Sequence, residues 1–294
     1  MGGNTISARR ISSTHMKLAR PFARCPKGAI YVGDSLSILK ALPSETFRCC
    51  ITAPPYWGTG SRTDCGAFGI ESSLQEYLND LTAVFHEVLR VLTQDGTLWL
   101  NMGDTYTFGE LSPLSVIGKE GAKKEDVLYR MPPGMKPKEL VGVPWQVAFA
   151  LRSDGWFLRS EIIWHQPDSY GELVQDRPTR SHECVFLLSK SEDYLYKRSA
   201  VKEESNIPGR LRNRRDVWSI HRERVSGYPV ATLPSKLAEL CLLAGTNEQD
   251  CVLDPFFGSG SVGLACINND RPFVGIEIKE SYAALAKNRL DCFD

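Results

Sequence analysis

Apolar residues recur along this chain with two distinct periods. From Leu74 to Leu92 they fall at Leu74, Tyr77, Leu78, Leu81, Val84, Phe85, Val88, Leu89 and Leu92. Steps of three and four residues put them on one face of an α-helix. Leu36, Leu39 and Leu42 repeat the spacing in a shorter helix from Ser35, stopped by Pro43. Helices are also expected over Val143–Arg152 and Pro234–Ala244. Between the helices lie short apolar runs of strand length: Ala29–Val32, Phe47–Ile51, Thr97–Met102, Phe157–Trp164 and Glu183–Leu188. Asp95-Gly96 reads as a turn before the third of them. A closing βαβα unit runs from Cys251 to Leu290, with Phe273–Ile278 as its second strand. Repeated βα units predict an α/β fold, Rossmann-like, with a mainly parallel sheet and helices on both faces. Two stretches lack periodicity. Residues 104–137 mix Gly, Pro, Lys and Glu, and Lys190–Arg224 is polar and Arg-rich. A long loop inside a compact domain is usually functional or disordered.

Composition narrows the class. A chain of 294 residues with 42% hydrophobic and 24% charged residues can build one large α/β domain with a smaller lobe. The net charge is zero, so the total says nothing of a polyanionic partner. Its distribution does. Residues 1–30 carry Arg9, Arg10, Lys17, Arg20, Arg24 and Lys27 and no acidic residue. From Arg177 to Arg224 twelve Lys/Arg face seven Asp/Glu. Solvated loops explain either stretch alone equally well. The nine cysteines form neither a C-x-x-C nor a zinc-spaced His/Cys cluster, so no metal site is expected. Cys49, Cys50, Cys184, Cys241, Cys251 and Cys266 sit inside apolar runs and read as small buried hydrophobes in a reducing compartment. No apolar run is long enough to span a membrane. The Arg/Ser-rich N-terminus reads as a basic arm, although an organelle transit peptide has the same composition.

Two strand-to-turn junctions carry the chemistry. Cys251-Val252-Leu253 runs into Asp254-Pro255-Phe256-Phe257-Gly258-Ser259-Gly260, and Cys49-Cys50-Ile51 runs into Thr52-Ala53-Pro54-Pro55-Tyr56-Trp57. Turns at strand ends are where open α/β sheets place ligands. Gly258-x-Gly260-x-x-Gly263, with Glu277 nineteen residues after Gly258, matches a nucleotide-binding turn and its ribose-binding carboxylate. A tight strand-to-helix turn without a ligand would read the same. The unit lies within the last fifty residues, so no second mononucleotide half follows it and a nicotinamide enzyme is disfavoured. An adenosyl cofactor needs only the turn, the acidic clamp and a partner for adenine. Asp34, just after the first strand, is placed to accept from the adenine amino group.

The two turns together, in this order, resemble the β-type DNA amino-methyltransferases, which transfer a methyl group from S-adenosylmethionine to N4 of cytosine or N6 of adenine. Gly33-Asp34-Ser35-Leu36, Leu98-Trp99-Leu100-Asn101-Met102-Gly103-Asp104 and Phe273-Val274-Gly275-Ile276-Glu277 add local matches, so the resemblance covers roughly residues 29–290. It implies a permuted methyltransferase order: catalytic turn first, target recognition next, cofactor turn last. It also implies a catalytic site at Ala53, Pro54, Pro55 and Tyr56. Cofactor contacts would come from Asp34, Asp254, Pro255, Phe256, Gly258, Ser259, Gly260 and Glu277. The residue types suit the reaction. An exocyclic amine is a poor nucleophile because its lone pair is delocalised into the ring. Carbonyls at Ala53 and Pro54 can accept hydrogen bonds from the NH₂ and localise that pair. Tyr56 can stack on a base flipped out of the duplex, since the amine is out of reach while stacked. The family usually has Ser, Asp or Asn where this chain has Ala53. A missing polar partner in the transition state costs on the order of 2–4 kcal/mol. Thr52 and Trp57 lean toward the Ser-type, N4-cytosine members.

The family's order places DNA contacts between the two turns, where Arg177, Arg180, Arg210, Arg212, Arg214 and Arg215 lie. Most should hold phosphates and a few should read bases. The expected organisation is a basic arm over residues 1–28 and a catalytic half over 29–166 that includes the 104–137 loop. A small target-recognition region over 167–228 and a cofactor half over 229–294 follow. The expected function is methylation of double-stranded DNA by base flipping. A DNA-binding module that keeps the cofactor pocket without catalysis is the alternative, and an NAD-dependent oxidoreductase a distant third. No membrane partner is expected.

Overall fold

The computed structural model describes residues 20–57, 69, 71–107, 132–169, 174–228 and 232–292. Most of the expected basic arm and of the 104–137 loop lie outside these residues.

The chain opens with strand β1 (Ala23–Cys25) paired antiparallel to β2 (Gly28–Val32), followed by α1 (Ser35–Ala41), β3 (Phe47–Thr52) and α2 (Leu74–Val91). Then come β4 (Leu92–Met102), α3 (Val143–Ser153), β5 (Phe157–His165) and β6 (His182–Ser189). A short hairpin, β7 (Glu203–Glu204) and β8 (Leu211–Arg212), precedes β9 (Val217–Ser219). The chain closes through α4 (Ser235–Gly245), β10 (Val252–Asp254), α5 (Ser261–Asn268), β11 (Phe273–Glu277) and α6 (Glu280–Arg289). Nine strands form one sheet in the order β1-β2-β11-β10-β3-β4-β6-β5-β9. The five strands β2, β11, β10, β3 and β4 run parallel, and β6 enters antiparallel to both β4 and β5. The fold is the expected α/β sheet with helices on both faces.

Strand alternation explains the two-faced core. Cys50, Leu98 and Leu100 point to one face and pack with Leu39, Leu81, Phe85 and Val147, from α1, α2 and α3. Cys49, Ile51 and Trp99 point to the other and pack with Leu237, Cys241, Val262 and Ala283, from α4, α5 and α6. A period of two in the strands thus feeds both layers. Helix α2 starts at an N-cap, Ser73, whose hydroxyl accepts from the Glu76 amide at 3.2 Å, while Glu76 reaches back to the Ser72 amide. That supplies partners for the first-turn donors of this helix.

The structure corrects three expectations. Asp95-Gly96 is not a turn, because both residues lie inside β4, which begins directly at Leu92. Phe47 pairs with Leu92 and Cys49 with Thr97, a break in register, and a side chain at Gly96 would press first on the Thr93 carbonyl and Leu92 Cβ of its own strand and then on the Arg48 carbonyl of β3. Second, Ala23–Cys25 lies in the stretch read as an arm, yet it is a strand of the main sheet. Third, the cysteines are not all thiols. Cys25 and Cys292 are disulfide-bonded, joining β1 to the segment after α6. Cys49, Cys50, Cys184, Cys241, Cys251 and Cys266 are buried and free, as expected. Within residues 167–228, β6 and β9 belong to the main sheet, and the β7–β8 hairpin stands apart as a small sheet of its own. Among the described residues no helix is long and apolar enough to cross a membrane.

Candidate active site

Parallel strands β3 and β10 are neighbours, so the turns that leave their carboxyl ends lie side by side. The register pairs Val252 with Cys49 and Leu253 with Cys50, which brings Thr52 and Asp254 level at the strand ends. The Thr52 hydroxyl donates to Asp254 Oδ1 at 2.6 Å, and the Phe256 amide donates to the same oxygen at 3.0 Å. Burial pushes the Asp254 carboxyl up to about 7, against the pull of those two hydrogen bonds, and the nearby Glu277 charge adds to the rise. Ser35, at the start of α1, donates its hydroxyl to the Pro255 carbonyl at 2.6 Å. Three segments that are remote in sequence, after β2, β3 and β10, therefore meet at one edge of the sheet.

The glycine turn is shaped by Glu277. Its Oε2 accepts from the Gly258 amide at 2.8 Å and its Oε1 from the Lys279 amide at 2.9 Å. Burial raises its carboxyl above the usual range, with the Lys279 and Gly258 amides pulling it down. Gly258 and Gly260 have φ of +51° and +81°, a region closed to most side chains. Gly260 is the N-cap of α5, so the turn delivers the amino end of that helix to the site. The Ser259 hydroxyl accepts from Arg289 of α6 at 3.3 Å, and its carbonyl from the same nitrogen at 3.1 Å. Asp34 caps α1, accepting from the Ser37 amide at 2.8 Å. Phe256 packs beside Phe85. Of the expected cofactor residues, Asp254, Pro255, Phe256, Gly258, Gly260 and Glu277 gather around the glycine turn. Ser259 has its side chain turned toward α6, and Asp34 has one carboxylate oxygen occupied as a cap.

The Pro-Pro-Tyr turn is held from two sides. Tyr77 of α2 donates its hydroxyl to the Pro55 carbonyl at 3.0 Å. The described residues donate no hydrogen bond to the carbonyls of Ala53 and Pro54, the two acceptors expected to meet the target amine. The Tyr56 hydroxyl lies 2.7 Å from Glu183 Oε2 and 3.0 Å from Asn101 Oδ1. Burial, and then the Glu183 charge, raise this phenol well above its ordinary range, so it stays a proton donor. A side chain at Gly103 would overlap the Tyr56 ring, so the ring rests directly on the β4 backbone.

The six arginines expected at DNA fall into two groups. Arg180 bonds the Asp104 carbonyl, and the Arg177 guanidinium lies 3.7 Å from the centre of the Tyr106 ring. Asp104 and Tyr106 directly follow Gly103, so this pair flanks the Pro-Pro-Tyr turn. Arg212 and Arg215 both bond Glu203, at 2.8 and 2.9 Å, and Arg214 bonds the Val201 carbonyl at 2.9 Å. Those three, with Arg210, surround the β7–β8 hairpin beside the sheet edge. Strand β9 is four strands from β3, about 19 Å at the usual strand spacing. Side-chain exposure separates them further: 66% for Arg215 against 30% for Arg212 and 21% for Arg214.

Sequence reasoning missed Thr52, Ser35, Tyr77, Asn101 and Glu183 as site residues. For Thr52 and Ser35 a signal existed, since each directly adjoins a motif residue. For Asn101 and Glu183 the contact depends on the antiparallel entry of β6, which no local pattern announces. Tyr194, Tyr196 and Trp218 were equally readable as core or stacking residues. Trp218 is buried 6.2 Å from Trp99 and is core, while Tyr196 stacks on Trp99 at 6.4 Å with its own side chain exposed.

Comparison with known proteins bears on the family and the fold. The family model for DNA methylases of the N6/N4 class matches residues 47–288. The Type II methyltransferase M.Cfr9I of Citrobacter freundii is 48% identical over 261 residues, covering 89% of this chain and 87% of its own length. M.SmaI of Serratia marcescens is 46% identical, covering 89% and 90%. Among solved structures, the cytosine-N4-specific PvuII DNA methyltransferase superposes with a TM-score of 0.68 at 19% identity, over 92% of this chain and 90% of that one. The M1.HpyAVI–SAM complex does so with 0.56 at 19% identity, over 90% and 99%. At such identity the structures speak for the fold, while the sequence relatives and the family match speak for kinship: the chain belongs to the N6/N4 DNA methylase family.

Proposed function

We propose that this protein uses S-adenosylmethionine to methylate an exocyclic amine in double-stranded DNA, with N4 of cytosine favoured over N6 of adenine. The observation that carries the reading is the junction of the two turns, in which Thr52 of the Pro-Pro-Tyr turn bonds Asp254 of the glycine turn. A cofactor seated on the glycine turn is then adjacent to a base seated against Tyr56. Glu277 and Asp254 supply negative charge beside a cofactor whose sulfonium is positive, and the amino end of α5 supplies donors. The cofactor brings the reactive methyl group. The chain's own residues bind and orient, and positioning of this kind supplies much of the rate of a transfer reaction. The target base leaves the stack, because its amine is inaccessible in the duplex. The carbonyls of Ala53 and Pro54 accept from that amine and localise its lone pair. Arg177 and Arg180 border the turn, where the flipped base's flanking phosphates would lie, and Arg210 and Arg215 extend the basic surface.

Ala53 favours a second reading. Its side chain offers no acceptor to the amine, so the protein would bind cofactor and DNA while transferring methyl groups slowly. The nicotinamide alternative falls with the family assignment. The deciding experiment incubates the full chain with tritium-labelled S-adenosylmethionine and unmethylated plasmid DNA, then analyses the nucleosides by mass spectrometry. N4-methylcytosine is expected. N6-methyladenine would overturn the base assignment, and absence of label from both this chain and its Ala53→Ser form would overturn the activity.

A further inference from the structure

We propose that Glu183 is a positioning residue for methyl transfer that acts through Tyr56: its carboxylate anchors the tyrosine hydroxyl and so fixes the ring on which the target base stacks. The inference rests on the reading of the Pro-Pro-Tyr turn given above.

One carboxylate oxygen does two jobs. Glu183 Oε2 accepts from the Tyr56 hydroxyl at 2.7 Å and from Asn101 Nδ2 at 3.0 Å. Asn101 is buried on β4 and also donates to the Cys184 carbonyl at 3.2 Å, which fixes which way its amide points. Its Oδ1 therefore faces the tyrosine hydroxyl, at 3.0 Å, as a second acceptor. The hydroxyl has one proton to give. The bond to a charged carboxylate is the shorter and the stronger of the two. Glu183 sits on β6 rather than on a loop, and its neighbour Cys184 is registered against Met102 of β4. The anchor is thus as rigid as the sheet.

The other constraints on the turn leave this one degree of freedom to be fixed. Pro54 and Pro55 restrict the backbone, and Tyr77 holds the Pro55 carbonyl. Gly103 brings the β4 backbone against the Tyr56 ring, which limits its tilt. Rotation that would slide the ring along that surface is opposed at its far end by Glu183 and Asn101. Stacking itself needs no hydroxyl, and a phenylalanine would offer the same face. The hydroxyl is accounted for by the tether. Because the burial that raises this phenol keeps it protonated, the tether persists across the working pH range.

The test is a double-mutant cycle in the full chain, in both the Ala53 and the Ala53→Ser backgrounds. Single-turnover transfer of labelled methyl groups to unmethylated plasmid DNA is measured for Tyr56→Phe, Glu183→Ala, Glu183→Gln and the Tyr56→Phe/Glu183→Ala double variant. Tyr56→Phe and Glu183→Ala are each expected to slow transfer about 10- to 100-fold, as small misplacements do. KM for cofactor and DNA should change by less than about threefold, since the loss falls on kcat. The double variant should be no slower than the slower of the two single variants, because both changes cut the same tether. Glu183→Gln keeps an acceptor oxygen and should recover most of the rate. Full rate in Tyr56→Phe overturns the proposal whether or not Glu183→Ala folds. A double variant as slow as the product of the two single effects also overturns it, since Glu183 would then act independently of Tyr56. Methyl transfer that ignores Glu183→Ala removes this inference alone. Absence of transfer from both backgrounds removes the methyltransferase reading and this inference with it.

Discussion

The Thr52 hydroxyl donates to a carboxylate oxygen of Asp254 at 2.6 Å, and this bond ties together two turns that are 202 residues apart in the chain. Strand pairing makes it possible, and burial gives it a titration. With its carboxyl raised from 3.8 to about 7, Asp254 binds a proton more tightly in the folded chain than in the unfolded one. Its stabilising contribution is therefore fully present below about pH 4, falls as pH rises between the two values, and is gone above about 7. The slope is on the order of 1.4 kcal/mol for each pH unit in that window. Asp254→Asn keeps the oxygen that Thr52 and the Phe256 amide reach, and it cannot ionise. The parent should accordingly lose melting temperature relative to Asp254→Asn as pH goes from 5 to 8. Equal pH profiles for the two would refute the buried titration. A cationic cofactor favours the ionised form, so S-adenosylmethionine should bind the parent more tightly as pH rises through 7, and bind Asp254→Asn with little pH dependence. Calorimetry at pH 6 and pH 8 measures this.

Glu277 already holds the glycine turn, and the proposed reading gives it the cofactor as well. Its two oxygens already hold the Gly258 and Lys279 amides, so part of its value is to shape the turn before any ligand arrives. Glu277→Ala should weaken S-adenosylmethionine binding by about 1.5–3 kcal/mol, the usual worth of charged hydrogen bonds. It should also lower the melting temperature, because two buried amides lose their acceptor. Glu277→Gln keeps one acceptor oxygen for the turn and cannot take both ribose hydroxyls. It should restore most of the melting temperature and little of the affinity. If cofactor affinity recovers fully in Glu277→Gln, the carboxylate serves the turn and not the ligand.

Much of this site was legible in the sequence, and what was hidden was hidden for a physical reason. Helix α2 was readable because eight of its apolar residues keep one period, and the two turns were readable because each follows an apolar run. Strand β9 was not, because three residues give no period, and Trp218 buries itself through a parallel pairing with β5 that no local pattern encodes. Asp95-Gly96 misled because glycine beside aspartate is turn chemistry. Here both residues lie within β4, at a break in its register with β3, where a side chain at Gly96 would meet the Thr93 carbonyl first. Glu183 lay in plain view at the head of an apolar strand. Its meaning came only from the antiparallel insertion of β6 beside β4, which carries it to Tyr56. The disulfide between Cys25 and Cys292 was equally unreadable, since the pairing depends on β1 and the chain end meeting across 267 residues.

The arginines around the hairpin should divide by exposure, since Arg215 holds Glu203 as Arg212 does but lies open to solvent. Arg212 and Arg214 are mostly covered and bonded to Glu203 and to the Val201 carbonyl, while Arg210 and Arg215 are exposed. Arg210→Ala with Arg215→Ala should therefore reduce DNA affinity and flatten its salt dependence, by roughly one unit of slope per lost phosphate contact, with only the small loss of stability that an exposed Arg215–Glu203 pair carries. Arg212→Ala and Arg214→Ala should instead act on the hairpin, lowering its resistance to proteolysis. Fluorescence anisotropy with plasmid-derived duplexes across a salt series reads the first effect. If the exposed pair leaves both affinity and slope untouched, DNA does not pass over this hairpin, and the Arg177–Arg180 pair beside the Pro-Pro-Tyr turn becomes the main contact.

Ala53 gives the sharpest prediction, because the parts of the site that bind and the part that reacts are separable. On the proposed reading, the flipped base is held by Tyr56, anchored by Glu183, and by carbonyls that two prolines fix. On the same reading, the cofactor is held by a glycine turn that Glu277 shapes. None of these involves the side chain at position 53. Cofactor and DNA affinity should therefore be near those of a full catalyst, while methyl transfer is slow. Ala53→Ser or Ala53→Asp restores an acceptor at the start of the turn, one that could meet the amine only as it begins to pyramidalise. An interaction made in the transition state and absent from the ground state raises kcat and leaves binding alone. Single-turnover transfer should rise about 10²-fold or more, with DNA affinity little changed. If the Ala53 form is already fast and neither substitution adds rate, the backbone carbonyls alone orient the amine. If both substitutions instead tighten DNA binding without adding rate, position 53 touches the base in its ground state, and the missing side chain is a matter of recognition.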